Sequence, residues 1–102
     1  GRFPQISGFK FSFDSTKAAG SRIVEVTKLD GTAIPKDATR YTITTLDFVI
    51  YGGDGYVNVF SPDQAKVQGA LLDLFVDALK ADLAAGKVTQ VPAADGRIKK
   101  VA

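Results

Sequence analysis

Gly52, Gly53, Asp54 and Gly55 follow one another without a break, and they are where this sequence best offers chemistry. Glycines let a backbone take conformations closed to other residues and let a ligand approach closely. The aspartate between them is then presented on a stiff, exposed turn. A carboxylate there suits a diol, since each oxygen can accept one hydroxyl. The same string also reads as a plain hairpin turn in which the aspartate caps backbone amides. It is not a phosphate loop: the GxxxxGK[ST] pattern is missing, and the carboxylate would repel phosphate. Phe48, Tyr51 and Tyr56 flank the loop. An aromatic ring beside a glycine-rich turn can stack on a flat ligand; the alternative is a core residue of a small domain. Asp47 is placed to cap a helical turn.

Other chemistry is narrowed by what the chain lacks. Among its 102 residues there is no cysteine and no histidine. Disulfides, thiolate metal sites, Ser-His-Asp triads and histidine-metal sites are therefore excluded. Carboxylates, lysines, tyrosines and hydroxyls remain, without a convincing carboxylate pair, so no catalytic residue and no metal ligand is assigned. The acidic residues of the later helix read as its solvated face. The net charge of +2 and the scattered basic residues argue against a nucleic-acid partner. Only Lys99 and Lys100 are adjacent, and they read as a solvated tail. The longest apolar stretches fall far short of the ~20 residues that span a bilayer. No signal peptide is visible, and the start at Gly1 suggests a processed or truncated product. Absent cysteine suits a cytoplasmic protein and a bacterial secreted one equally.

The elements that must position the loop are short. Phe9, Phe11 and Phe13 alternate with Lys10 and Ser12, the period of a half-buried strand. Phe3 and Ile6 flank Pro4 in an expected edge segment that ends at Ser7 and Gly8. A loop is expected over 14–20, then a β-branched strand over 22–28. Asp30-Gly31 makes a hairpin turn into a short return strand around Ala33 and Ile34. Further strands are expected over 41–45 and 56–60, with an apolar cluster of ambiguous type, such as one helical turn, over 46–51. Leu71, Leu72, Phe75, Val76, Leu79 and Leu83 recur at spacings of three and four and define one long helix. Asp73, Asp77, Lys80 and Asp82 fall largely on its other side, and Gly86 is its expected C-cap. Residues 88–91 should be extended, with a break at Pro92 and a turn at Asp95-Gly96. The whole predicts an α+β fold: a mixed, mostly antiparallel sheet with one long amphipathic helix.

Four of these landmarks, in order, resemble a known family. The opening Gly1-Arg-Phe-Pro-Gln-Ile-Ser-Gly8 is similar to G-x-F-x-Q-[VI]-[SG]-G. Tyr41-Thr-Ile-Thr resembles a Y-x-V strand. Leu46-Asp-Phe-Val-Ile-Tyr-Gly-Gly-Asp-Gly-Tyr56 is similar to N-[FY]-[LM]-A-x-G-G-D-G-[FY]. Pro92 to Ile98 resembles a closing P-x-x-D-G-R-I. The set covers nearly the whole chain and marks a resemblance to the C-terminal domain of the 5′-nucleotidase and UDP-sugar hydrolase family.

The resemblance implies a division of labour. An N-terminal metallophosphoesterase domain would bind two divalent metals, Zn, Mn or similar, and activate water for attack on phosphorus. The C-terminal domain would hold the nucleoside and rotate to carry it to the metals. Phe48 matches the second of two aromatics that sandwich the base, and Asp54 matches the aspartate that holds the ribose hydroxyls. Gly53, Gly55, Asp47 and Tyr56 belong to the same substrate-binding segment. The first aromatic and the phosphate-contacting arginines have no counterpart, so residues 1–102 correspond to the C-terminal part of one incomplete domain. That implies a nucleotide substrate, no cofactor in this chain, and a periplasmic, cell-surface or extracellular location. Two departures bear on substrate class (5′-nucleotide, UDP-sugar or 2′,3′-cyclic nucleotide): Asp47 replaces the usual Asn, and Tyr51 stands where small or polar residues are common. The alternative is a non-catalytic module whose exposed apolar surface forms a homodimer.

Overall fold

Strand β1, Phe9–Phe13, is the centre of the sheet, and its alternation is the reason. The computed structural model describes residues 2–87, 91 and 93–102. β1 pairs antiparallel with β2, Ile23–Lys28, placing Phe11 opposite Val26 and Phe9 opposite Lys28. An irregularity between Ser12 and Phe13 bends the end of this pairing. On the other edge β1 pairs in parallel with β3, Ile98–Lys100, placing Phe11 beside Ile98. The sheet order is β2-β1-β3. Among the described residues, two α-helices lie between β2 and β3 in sequence, α1 (Asp47–Ile50) and α2 (Leu71–Ala84). The architecture is the expected α+β, with a mixed sheet and one main helix.

Two compact units are distinguished: Gly1–Arg2 with Thr42–Val91, and Phe3–Tyr41 with Pro92–Ala102. The second unit holds the sheet. Phe11 is its buried apolar centre. The Phe3 ring meets Phe13 edge-on at 5.6 Å and Phe11 at 6.1 Å, so residue 3 joins a three-ring cluster. Residues 3–6 form no strand with any described residue, unlike the expected edge segment. Pro4 removes one donor, and the Arg97 guanidinium takes the Ile6 carbonyl at 2.8 Å. The same guanidinium lies 2.8 Å from the Asp95 carboxylate. The expected hairpin after β2 is present: Lys28 N–H bonds Thr32 O at 2.8 Å and Ile34 N–H bonds Val26 O at 2.9 Å. Lys99 and Lys100 are exposed as expected, yet they belong to β3 rather than to a free tail. Their backbone is fixed because β1 offers an edge that needs a partner.

Four aspartates staple the turns of this unit. Asp14, Asp30, Asp37 and Asp95 each accept the amide two residues on, from Thr16, Thr32, Thr39 and Arg97 at 2.8–3.0 Å. The Thr16 hydroxyl, 2.6 Å from Asp14, is the main reason that carboxyl sits below its ordinary pKa. For the other three the backbone amide is the main cause. A depressed folded-state pKa contributes stability above the unfolded value and loses it as pH falls through the folded one. NMR titration is therefore expected to give midpoints below the ordinary aspartate value for all four, with their contribution to stability lost as pH falls through those midpoints. Midpoints at or above that value would contradict the turn geometry.

Two expected strands are absent. Residues 41–45 are in no sheet, although their β-branched composition suits a strand. Residues 56–60 form turns: Asn58 has φ 59°, and Val59 N–H approaches Tyr56 O at 3.4 Å. Asparagine tolerates the left-handed region, which breaks the alternation that Val57 and Val59 suggest. The long helix is as expected and ends before Gly86, whose φ is 73°. Good helix formers fill it, and Asp73 in the first turn complements its dipole. It buries none of its residues; Leu72 remains 70% exposed and Phe75 58%. The expected extension over 88–91 and break at Pro92 fall largely outside the described residues, as does Gly1.

Candidate functional site

The six residues picked from the sequence stand within one helical turn and the loop after it. α1 begins at Asp47, and Leu46 occupies the cap position in extended conformation. The Leu46 carbonyl accepts the amides of Val49 and Ile50, both at 3.1 Å. Asp47 therefore does not cap the helix as expected. It sits one residue further in, where its Oδ1 accepts the Phe48 amide at 2.7 Å. That bond still satisfies one of the amides a helix start leaves free.

Gly52 takes φ 94° and turns the chain out of α1. Gly53–Gly55 then form a 3₁₀ turn closed by Tyr56 N–H to Gly53 O at 3.1 Å. Inside that turn Asp54 has φ 52° and ψ 23°, left-handed values that few non-glycine residues adopt. The Phe48 side chain folds back over Gly53. A Cβ on Gly53 would lie 2.5 Å from two carbons of the ring and from the Phe48 carbonyl oxygen. Glycine is thus needed at 53 for close approach, and the ring is seated on backbone while remaining 58% exposed. Tyr51 is 76% exposed and is not held in this way.

The carboxylate of Asp54 is exposed, and no described residue bonds or pairs with it. Its backbone carbonyl is held instead, by Arg2 Nε at 2.9 Å. Tyr56 donates its hydroxyl to the Arg2 carbonyl at 2.8 Å. The Arg2 guanidinium also lies against Gly55, where φ is 81° and a Cβ would overlap it. Arg2 was not among the residues picked from sequence. It occupies an x position of its motif, 52 residues from Asp54, and no local signal marks it.

A cleft of about 290 Å³ in the same unit is lined by Thr42, Ile43, Thr45, Ile50, Val59 and Phe60, with further residues to Ala65. It contains none of the six. Phe48 and Asp54 are both exposed and do not line it. Among the described residues no three carboxylates cluster so as to hold a metal. No described helix is long and apolar enough to cross a membrane.

The 5′-nucleotidase C-terminal domain family matches residues 1–62. This chain belongs to that family. The match takes in the opening motif, α1 and the glycine loop, while α2 and the Asp95-Gly96-Arg97 turn lie beyond it. The trifunctional nucleotide phosphoesterase protein YfkN of Bacillus subtilis is 35% identical over 107 aligned residues, covering 99% of this chain and 7% of that protein. The cell wall protein Lmo0130 of Listeria monocytogenes is 32% identical over 88 residues, covering 84% of this chain and 11% of that protein. The chain thus spans a small part of the curated relatives it matches. No solved structure matches it.

Proposed function

We propose that this chain is the nucleoside-binding part of a 5′-nucleotidase-type phosphohydrolase, with Phe48 against the base and Asp54 on the ribose hydroxyls. One observation carries the reading: an exposed aromatic ring from α1 is seated on Gly53, and the next residue, Asp54, bears an exposed, unshared carboxylate. Gly53 and Gly55 give the glycine turn its shape, and Asp47 and Tyr56 bound it. The nucleotide phosphoesterase description of the Bacillus relative supports the substrate class. The cell wall description of the Listeria relative supports a surface or extracellular location. As the family resemblance implies, hydrolysis itself would fall to two divalent metals in an N-terminal metallophosphoesterase domain.

The apolar row of α2, exposed at Leu71, Leu72, Phe75, Val76 and Leu83, supports the reading of an incomplete domain. The rest of that domain covers the row and supplies the opposite ring. One wall binds weakly. A stacked base contributes about 1–3 kcal/mol and charge-assisted hydrogen bonds about 1.5–3 kcal/mol, against an association cost of about 4–15 kcal/mol. The isolated chain is expected to release no phosphate from AMP, with or without Zn²⁺ or Mn²⁺, whereas the intact protein releases it. Metal-dependent release by the isolated chain, or none by the intact protein, rejects the proposal. The α2 row also favours a second reading, a non-catalytic module that pairs two copies of the chain. Light scattering separates the two, because a clean monomer at high concentration counts against pairing.

A further inference from the structure

We propose that Arg2 is a positioning residue for Asp54, and that it sets how strongly the site distinguishes a ribose with free hydroxyls from one without. The inference rests on the nucleoside-site reading above. Three contacts converge on Arg2. Its Nε donates to the Asp54 carbonyl at 2.9 Å, its own carbonyl accepts the Tyr56 hydroxyl at 2.8 Å, and its guanidinium lies against Gly55. The side chain is thus tied to one end of the turn and the backbone to the residue after it.

The consequence falls on Asp54. Its left-handed conformation is one that most L-residues avoid and aspartate tolerates, so contacts from its neighbours select it among alternatives. The 3₁₀ bond from Tyr56 to Gly53 holds the two ends of the turn. The Arg2 bond holds the peptide plane between Asp54 and Gly55, and with it ψ of Asp54. The guanidinium takes the carbonyl and leaves the carboxylate alone, so both Oδ atoms stay available to two hydroxyls. Lysine does not replace this arrangement. Its ammonium is a point charge without the guanidinium's preorganised planar fork, and it is free to swing onto the carboxylate.

The test uses the intact protein with AMP and its 2′,3′-dideoxy analogue as substrates. Arg2→Gln is expected to raise KM for AMP about 3- to 10-fold with kcat held within about 2-fold, and to leave the dideoxy analogue nearly unaffected. Arg2→Lys is expected to show the same loss. Hydrogen exchange is expected to quicken at residues 52–56 while α2 and β1 keep their protection. An equal rise for both substrates, or full function in Arg2→Lys, overturns the proposal. If Asp54→Ala impairs AMP use and Arg2→Gln does not, the Arg2 inference alone fails. If neither variant alters AMP use, the nucleoside-site reading fails with it.

Discussion

Asp54→Ala in the intact protein is expected to raise KM for a ribonucleoside 5′-monophosphate by about one to two orders of magnitude, and Phe48→Ala by a similar factor. The first estimate follows from losing charge-assisted hydrogen bonds worth about 1.5–3 kcal/mol. The second follows from losing a stacked base worth about 1–3 kcal/mol. Neither side chain supports the glycine turn through its own polar contacts. The Asp54 carboxylate is unbonded among the described residues, and the turn is held by Arg2 and by the bond from Tyr56 to Gly53. Steady-state kinetics should therefore separate binding from chemistry. A simple aryl phosphate, which has neither base nor ribose, is expected to be hydrolysed by both variants as by the parent. Unchanged nucleotide kinetics in both would remove these residues from the site.

Gly53→Ala is the second change with a large expected effect. The new Cβ would stand 2.5 Å from the Phe48 ring and from its backbone carbonyl oxygen. A flexible side-chain tip would yield cheaply, but a carbonyl of α1 moves only with the helical turn. Overpacking of this kind costs about 1–3 kcal/mol. The ring must leave its seat, so base stacking is lost as well, and KM should rise about as far as in Phe48→Ala. A double-mutant cycle gives a sharper check. Gly53→Ala and Phe48→Ala should fall short of additivity in KM, because both remove the same seated ring. Full additivity would show that Gly53 acts elsewhere.

Much of this was legible in residue order. The Phe9-Phe11-Phe13 alternation, the β-branched run of β2 and the three-and-four spacing of α2 each state their element locally, and each is present. The Asp30-Gly31 turn is equally local. Residues 41–45 and 56–60 show where local reading stops. Both have β-like composition, and neither is a strand. A strand needs an edge to pair with, and local composition cannot supply one. At 56–60 one asparagine in the left-handed region outweighs two valines.

The candidate site divides in the same way. Asp47, Phe48, Gly53, Asp54, Gly55 and Tyr56 lie within ten consecutive positions, so the sequence by itself determined that they stand close together, and the ordered motifs determined the family. Only the tertiary structure decided what fixes that turn and what surrounds it. It brought Arg2 to Asp54 across 52 residues, laid Phe48 on Gly53, and paired β3 beside β1 in parallel. The reason is physical. Backbone propensity acts over a few neighbouring residues, whereas a guanidinium, a ring or a strand edge finds its partner wherever the folded chain returns.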